Sequence, residues 1–337
     1  MLNAEDLSPD QKTELLEERF RFAGRGHPAV DAMFTLASEW GIQEPCRRPG
    51  EPVAFKALPP DPMDIIQMEV RLPPMPAILL ELKEIIHAQN TSARHIGRVI
   101  GKAPGLTAWV LKLVNSPYYG FSAKVSTISR AISLVGIKQI QLLAMAGGLN
   151  SLAVLLPKGV INMNRFWRHS IATGIVAQEL WKHTGRAESE QLFVCGLLHD
   201  CGKLAIAYAA PKVSQYLHRS GLSCDQPEYE AEKELMQSDH AHLGGMLMHR
   251  WNMPQPLVMS ILRHHHVEDA VRYPEAAAVH IADLLTNSLG LTLDPGACLG
   301  ALCPAAWDAL GLPPQKLRFV VDMLLTKLDG LVSGIRP

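Results

Sequence analysis

Apolar residues recur along this chain at helical spacing, and no alternating strand pattern competes with them. Ile78, Leu79, Leu82, Ile85 and Ile86 fall at i, i+1, i+4, i+7 and i+8, one stripe of an amphipathic helix. The same periodicity predicts helices near 92–102, 105–115, 126–134 and 138–149. It continues over 166–184, 188–209, 229–251, 256–265 and 276–288, with a polar loop at 219–227 and a last helix at 314–331. The expected class is therefore all-α. A hydrophobic content of 47% over 337 residues is enough for a substantial core.

Two further helices are expected near the start, 8–23 and 27–40, the first opened by Ser8 as N-cap with Pro9 behind it. Six prolines between Pro45 and Pro62, without sustained periodicity, read as a linker and set a boundary near residue 64. A formal charge of −1 gives no long-range field favouring nucleic acid or an anionic membrane. The opening MLNAEDLSPD is acidic where a secretory signal is basic, so export is not expected and a cytoplasmic location is. The most apolar stretch, 140–156, contains Gln141, Gly147, Gly148, Asn150 and Ser151, and reads as a buried helix with no membrane span. The cysteines Cys46, Cys195, Cys201, Cys224, Cys298 and Cys303 form no CxxC pair and suit a reducing compartment. Cys298 and Cys303 read as structural residues in preference to metal ligands.

The chemical clue is histidine. Eleven of the fourteen lie between His169 and His280, several near aspartates. His199 and Asp200 are adjacent, behind the apolar GLL and ahead of Cys-Gly-Lys203; on one helix such neighbours point about 100° apart and can address one ion, or two bridged by the carboxylate. Further candidates are His169 in FWRHS, His240 in HAHLG, His264 and His265 in a run of three, and Asp283 in VHIADLL. A single histidine on an apolar helix is more often a satisfied core residue than a ligand. Seven such polar residues would be costly to bury without a shared partner. Imidazoles and carboxylates from several helices make the mixed donor set that suits Fe, Mn or Zn, as one ion or two. His183, His218, His249 and His266 fit no such pattern and read as surface or supporting residues.

At these residues the chain resembles the HDOD family, the HD-related output domains. The resemblance runs through LPPMPAILLELKEII (72–86), PGLTAWVLKLVNSPYYG (104–120) and STISRAISLVGIKQIQLL (126–143). It continues through FWRHS, GLLHDCGKL, DHAHLGGMLMHRWNMP and ILRHHH, and covers about 65–290. It implies two packed helical subdomains, the second HD-like: an HDOD domain over 65–290, divided into 65–156 and 157–290. Residues 1–64 and 291–337 are then helical extensions. It also implies a role in bacterial-type signal transduction, in a family of which many members have lost the HD metal ligands. Here the chain looks like the related HD-GYP phosphodiesterases at His169, His199, Asp200, Lys203, His240, His264, His265 and Asp283, where that family holds its metals and a lysine near the substrate phosphate. It departs from them at VEDAVRYPEAA, which lacks the GYP triplet. The first 60 residues carry no such resemblance.

Three functions follow. The leading expectation is a signalling module that binds a partner protein, with a metal, nucleotide or phosphate ligand at the HD site. The second is a metal-dependent phosphohydrolase, a phosphodiesterase or nucleotide phosphatase in which Lys203 neutralises a phosphate oxygen. The third is a DNA-reading hairpin over 126–149, weakened because its second helix offers only Lys138, Gln139 and Gln141 as polar readers.

Overall fold

Every regular element among the described residues is a helix. The computed structural model describes residues 8–40, 72–87, 92–187, 189–219, 226–294 and 297–335. The expected linker 45–62, Cys46 and Cys224 lie outside them, as does 220–225 of the expected polar loop. The chain forms two compact units. One comprises the described residues up to Leu72 together with Leu156–Asp322, and the other Pro73–Leu155 with the residues from Met323 onward.

In the first unit, α1 (Pro9–Arg19) starts where Ser8 and Gln11 close a reciprocal capping box, the Gln11 amide reaching Ser8 Oγ at 3.2 Å and the Ser8 amide reaching Gln11 Oε1 at 2.9 Å. It is followed by α2 (Pro28–Trp40). The second unit opens with α3 (Ala77–His87), α4 (Ala93–Gly101), α5 (Pro104–Val114), α6 (Ile128–Val135) and α7 (Ile137–Ala153). The glycine pair in α7 has a packing reason. A Cβ on Gly147 would lie 2.8 Å from the Trp109 ring, and one on Gly148 would collide with Leu79, so bare backbone is what lets α7 seat on α5 and α3.

The Asn115 side chain pins the irregular segment between α5 and α6. Its Nδ2 donates to Leu111 O at 2.8 Å and Val125 O at 2.7 Å, while Oδ1 accepts from the Val125 amide at 2.6 Å. Asn115→Ala should destabilise this unit by about 1–2 kcal/mol, read as a lower denaturation midpoint with unchanged helix content. Gln139, one of the three polar residues of the expected reading helix, is buried, with Nε2 3.3 Å from Tyr119 Oη. It offers no side chain to a groove.

The first unit resumes with α8 (Met163–His183), α9 (Ser189–Leu198), α10 (Cys201–Ala209), α11 (Pro211–Arg219), α12 (Glu228–Met236), α13 (His240–Arg250), α14 (Gln255–Arg263), α15 (Pro274–Ser288) and α16 (Pro304–Leu310). The last helix, α17 (Lys316–Ile335), begins in it. Two expected helices are each broken in two. The 188–209 run divides at His199–Asp200, so this pair sits at a junction and not on one helix, with Asp200 as the N-cap residue of α10 at φ −91°, ψ 10°. The halves pack on different partners, α9 on α8 and α10 on α13, which turns the chain between them. The 229–251 run divides at Gln237, which has φ 58°, and restarts where Asp239 Oδ1 caps α13 by accepting from the His242 amide at 2.8 Å. By length and composition 189–209 could cross a membrane, but 94% of that apolar window is buried inside the protein and the junction interrupts it.

Candidate metal centre

Close helix crossings assemble the site. A Cβ on Gly196 of α9 would stand 2.7 Å from Gly174 Cα and from Thr173 O, so α9 lies directly on α8, the helix that carries His169. A Cβ on Gly202 would overlap the His240 carbonyl oxygen and approach the Gly244 amide nitrogen to 2.8 Å, so α10 lies directly on α13. The first crossing brings His169 to His199, and the second brings Asp200 to His240. The end of α14 adds His264 and His265, and α15 adds Asp283.

Two groups of donors result, His169–His199–Asp200 and His240–His264–His265, the atoms within each lying within 4.8 Å of one another. In the first, the two histidine Nε2 atoms are 3.2 Å apart, and Asp283 Oδ1 is 3.1 Å from His169 Nε2 and 3.5 Å from His199 Nε2. In the second, His240 Nε2 is 3.0 Å from His265 Nε2. Asp200 faces both: Oδ1 is 3.4 Å from His199 Nε2 and 3.1 Å from His240 Nε2, and Oδ2 is 3.5 Å from His169 Nε2. All seven side chains singled out in the sequence, and Lys203, are thus brought together.

The donor set fits a divalent ion. His169, His199 and His264 each give their Nδ1 hydrogen to a backbone carbonyl at 2.7 Å, of Leu291, Gly196 and Ile261 respectively. With Nδ1 donating, a neutral ring turns its Nε2 lone pair inward. Two ring nitrogens 3.2 Å apart need a proton or a metal ion between them, and Asp283, which raises His169 against its burial, stands ready to balance either. Separations of 3.0–3.5 Å are those of adjacent ligands about 2.1 Å from a shared ion. His264 Nε2 is buried without any hydrogen-bond partner, an orphaned donor atom facing the site. Outer hydrogen bonds of this kind are how metal-binding imidazoles are held.

The electrostatics point the same way. Burial would raise the Asp200 carboxyl, but His199, Lys203 and His240 hold it well below the usual carboxylate range. Asp283 is lowered against burial by His169 and His199. Burial, then the fields of His199 and His240, push His264 down to about 3, so that its ring is neutral. His240 goes the other way: burial is outweighed by Glu232 and Asp200, which hold it well above its ordinary value. A site that retains extra protons among its carboxylates attracts positive charge, which a metal supplies by displacing them. Burial pushes the Cys195 thiol up to about 12 and raises Cys201 further, so both remain thiols. Cys298 and Cys303 direct their sulfurs at the Glu18 and Val267 carbonyls, 3.9 and 3.8 Å away.

Lys203 does not project freely. Its Nζ is 3.0 Å from Asp200 Oδ2 and 2.9 Å from Glu228 Oε2, so two carboxylates neutralise it. It lines a small polar cavity with His169, His240, His265, Asp283 and Glu228. The volume is about 40 Å³, room for one or two waters, against roughly 300–1,000 Å³ for pockets that take drug-sized ligands. Tyr229 borders the cavity, stacked on His265 with centroids 4.5 Å apart.

Several supporting residues carry no sequence signal. Glu232 bonds His240. Asp239 pairs with His266 at 2.6 Å, tying the start of α13 to the histidine run. His280 donates from Nδ1 to His264 O at 2.8 Å and accepts at Nε2 from the Cys303 amide at 3.1 Å. Of the remaining histidines, His249 is exposed and His183 packs edge-on to Phe319.

Helices alone among the described residues, and a histidine–aspartate cluster drawn from four of them and one junction, define the class: an all-helical protein with a candidate metal centre. The HDOD domain family model matches residues 72–267, and the chain belongs to the HDOD family. A curated relative, an uncharacterized protein of Treponema pallidum (strain Nichols), is 28% identical over 200 residues, 59% of this chain and only 38% of that protein's length. Among solved structures, an HDOD domain protein of unknown function from Geobacter sulfurreducens superposes with a TM-score of 0.62 at 20% identity, covering 80% of this chain and 97% of the other. A candidate signal transduction protein from Marinobacter aquaeolei VT8 gives 0.62 at 18%, covering 97% and 68%. A candidate phosphohydrolase from Shewanella amazonensis SB2B gives 0.54 at 23%, covering 77% and 98%. At these identities the likeness is one of fold.

Proposed function

We propose that this chain is a cytoplasmic regulatory protein of bacterial-type signal transduction whose HD-like region, 157–290, holds one or two divalent ions, Fe, Mn or Zn, in a structural or sensing role. One observation carries this reading: four of the seven candidate ligands, His169, His240, His265 and Asp283, line a cavity of about 40 Å³ in which Lys203 is already neutralised. Such a site accommodates an ion and water, and a nucleotide only after rearrangement. Residues 65–290 act as the HDOD domain and 1–64 and 291–337 as its extensions. Output passes to a partner protein through helical faces, as in a signalling scaffold. A formal charge of −1 and the engaged Gln139 argue against nucleic acid. The resemblance in fold to the Marinobacter protein is consistent with this role.

The test is elemental analysis of protein purified without chelator or nickel resin, followed by a phosphodiester and nucleotide screen. About one to two equivalents of metal without turnover is the expected result. Absence of metal would end this reading. Turnover would establish the second one, a metal-dependent phosphohydrolase, which the position of Lys203 beside the ligand cluster favours. Bound ions would then acidify a water and stabilise charge at phosphorus. Lys203 would neutralise a phosphate oxygen once Glu228 had withdrawn.

A further inference from the structure

The imidazoles of the centre are not held alike. His169, His199 and His264 give Nδ1–H to neutral backbone carbonyls. His240 gives its own to a carboxylate, Glu232 Oε2, at 2.6 Å, and the same oxygen accepts the His240 backbone amide at 2.7 Å. Glu232 is 1% exposed, an unusual place for a glutamate unless it is paired. One oxygen that accepts from both the main chain and the ring of one residue fixes that ring's rotation as well as its tautomer.

The two donor groups also differ in charge. Asp200 and Asp283 both have an oxygen within 3.5 Å of His169 Nε2 and of His199 Nε2, whereas in the group of His240, His264 and His265 it is the His240 Nε2 that meets a carboxylate oxygen, Asp200 Oδ1 at 3.1 Å. A second divalent ion placed there would meet fewer carboxylate oxygens at contact distance than one in the first group. We propose that Glu232 is the positioning residue of this second group: it aims His240 Nε2 at the ion and supplies, through the ring, the negative charge the group lacks. A carboxylate behind a ligating imidazole raises the basicity of the inward nitrogen, and loss of such an outer partner typically weakens metal binding about 10–100-fold. Glu232 touches no ion itself and acts only through His240. The proposal rests on the metal-centre reading above.

The experiment is titration of the full-length, metal-stripped protein with Co²⁺, following stoichiometry, the visible d–d bands and the shifted exchangeable Nδ1 protons of ligating histidines. Wild type should take up two equivalents. Glu232→Gln, nearly the same shape without the charge, should weaken one equivalent about 10–100-fold. It should move one exchangeable proton and leave the other equivalent and the helix content unchanged. Glu232→Asp, read in the same way, serves if the glutamine variant does not fold. Two equivalents bound by Glu232→Gln as tightly as by wild type would overturn the proposal while leaving the centre intact. Equal weakening of both would also overturn it, because a general brace loosens the whole site. A wild type that takes up no Co²⁺ would remove the centre and this inference together.

Discussion

Asp200→Asn should empty the centre. The carboxylate reaches toward both donor groups, with Oδ1 3.4 Å from His199 Nε2 and 3.1 Å from His240 Nε2, and Oδ2 3.5 Å from His169 Nε2. Asparagine keeps the volume but loses the charge and one of the two acceptors, so each group surrenders its shared anionic ligand at once. Loss of a ligand should exceed the roughly 100-fold upper range seen on losing an outer hydrogen-bond partner. Elemental analysis of the purified variant should accordingly find less than about a tenth of the wild-type metal. Lys203 keeps its second partner, Glu228, so the variant should remain folded. Metal retained at wild-type levels would show that Asp200 does not join the two groups.

Gly202→Ala should have the largest effect on the fold. The added methyl would overlap the His240 carbonyl oxygen and lie 2.7 Å from its carbonyl carbon. Its neighbours there are backbone, which cannot rotate aside as a side chain can. Either α10 and α13 separate or the start of α13 deforms, and both move Asp200 relative to His240. A cost of about 3 kcal/mol or more is expected, seen as a fall in Tm of roughly 6–12 °C, with metal lost in parallel. Gly101→Ala is the control: a Cβ there meets nothing within 4 Å, and it should be neutral or slightly stabilising. Equal tolerance of both substitutions would mean that the α10–α13 crossing has slack.

The helical class was legible because the apolar stripe repeats with a period near 3.6 over most of the chain. The candidate residues stood out for a related reason: His169, His199, Asp200, His240 and Asp283 interrupt helices that are otherwise apolar. Two features stayed hidden. Apolar periodicity cannot show a break between helices that are both buried, so the junction at His199–Asp200 and the Gln237 turn were absorbed into longer runs. Glu232 belongs to EYEAEKELM, which has the composition of a solvated face; only tertiary packing of α12 against α13 puts this one glutamate behind His240. Glu228 and Asp239 were obscured in the same way, while His266, read as a surface or supporting residue, is the partner of Asp239. No local pattern separates a glutamate that will be buried from the neighbours that will not.

The segment after α15 has a practical consequence for anyone moving this centre into another protein. Leu291 O anchors His169, the Leu299 and Leu302 amides bond to Arg19 O and Ala23 O at 2.9 and 3.2 Å, and the Cys303 amide ends on His280. Asp283 and all of these contacts lie beyond residue 267, where the family match stops. A fragment trimmed to 72–267 would look whole by homology yet lack a carboxylate and the hydrogen-bond acceptor of one imidazole. The smallest transplantable unit is discontinuous: it requires the first helical pair and the chain as far as Cys303.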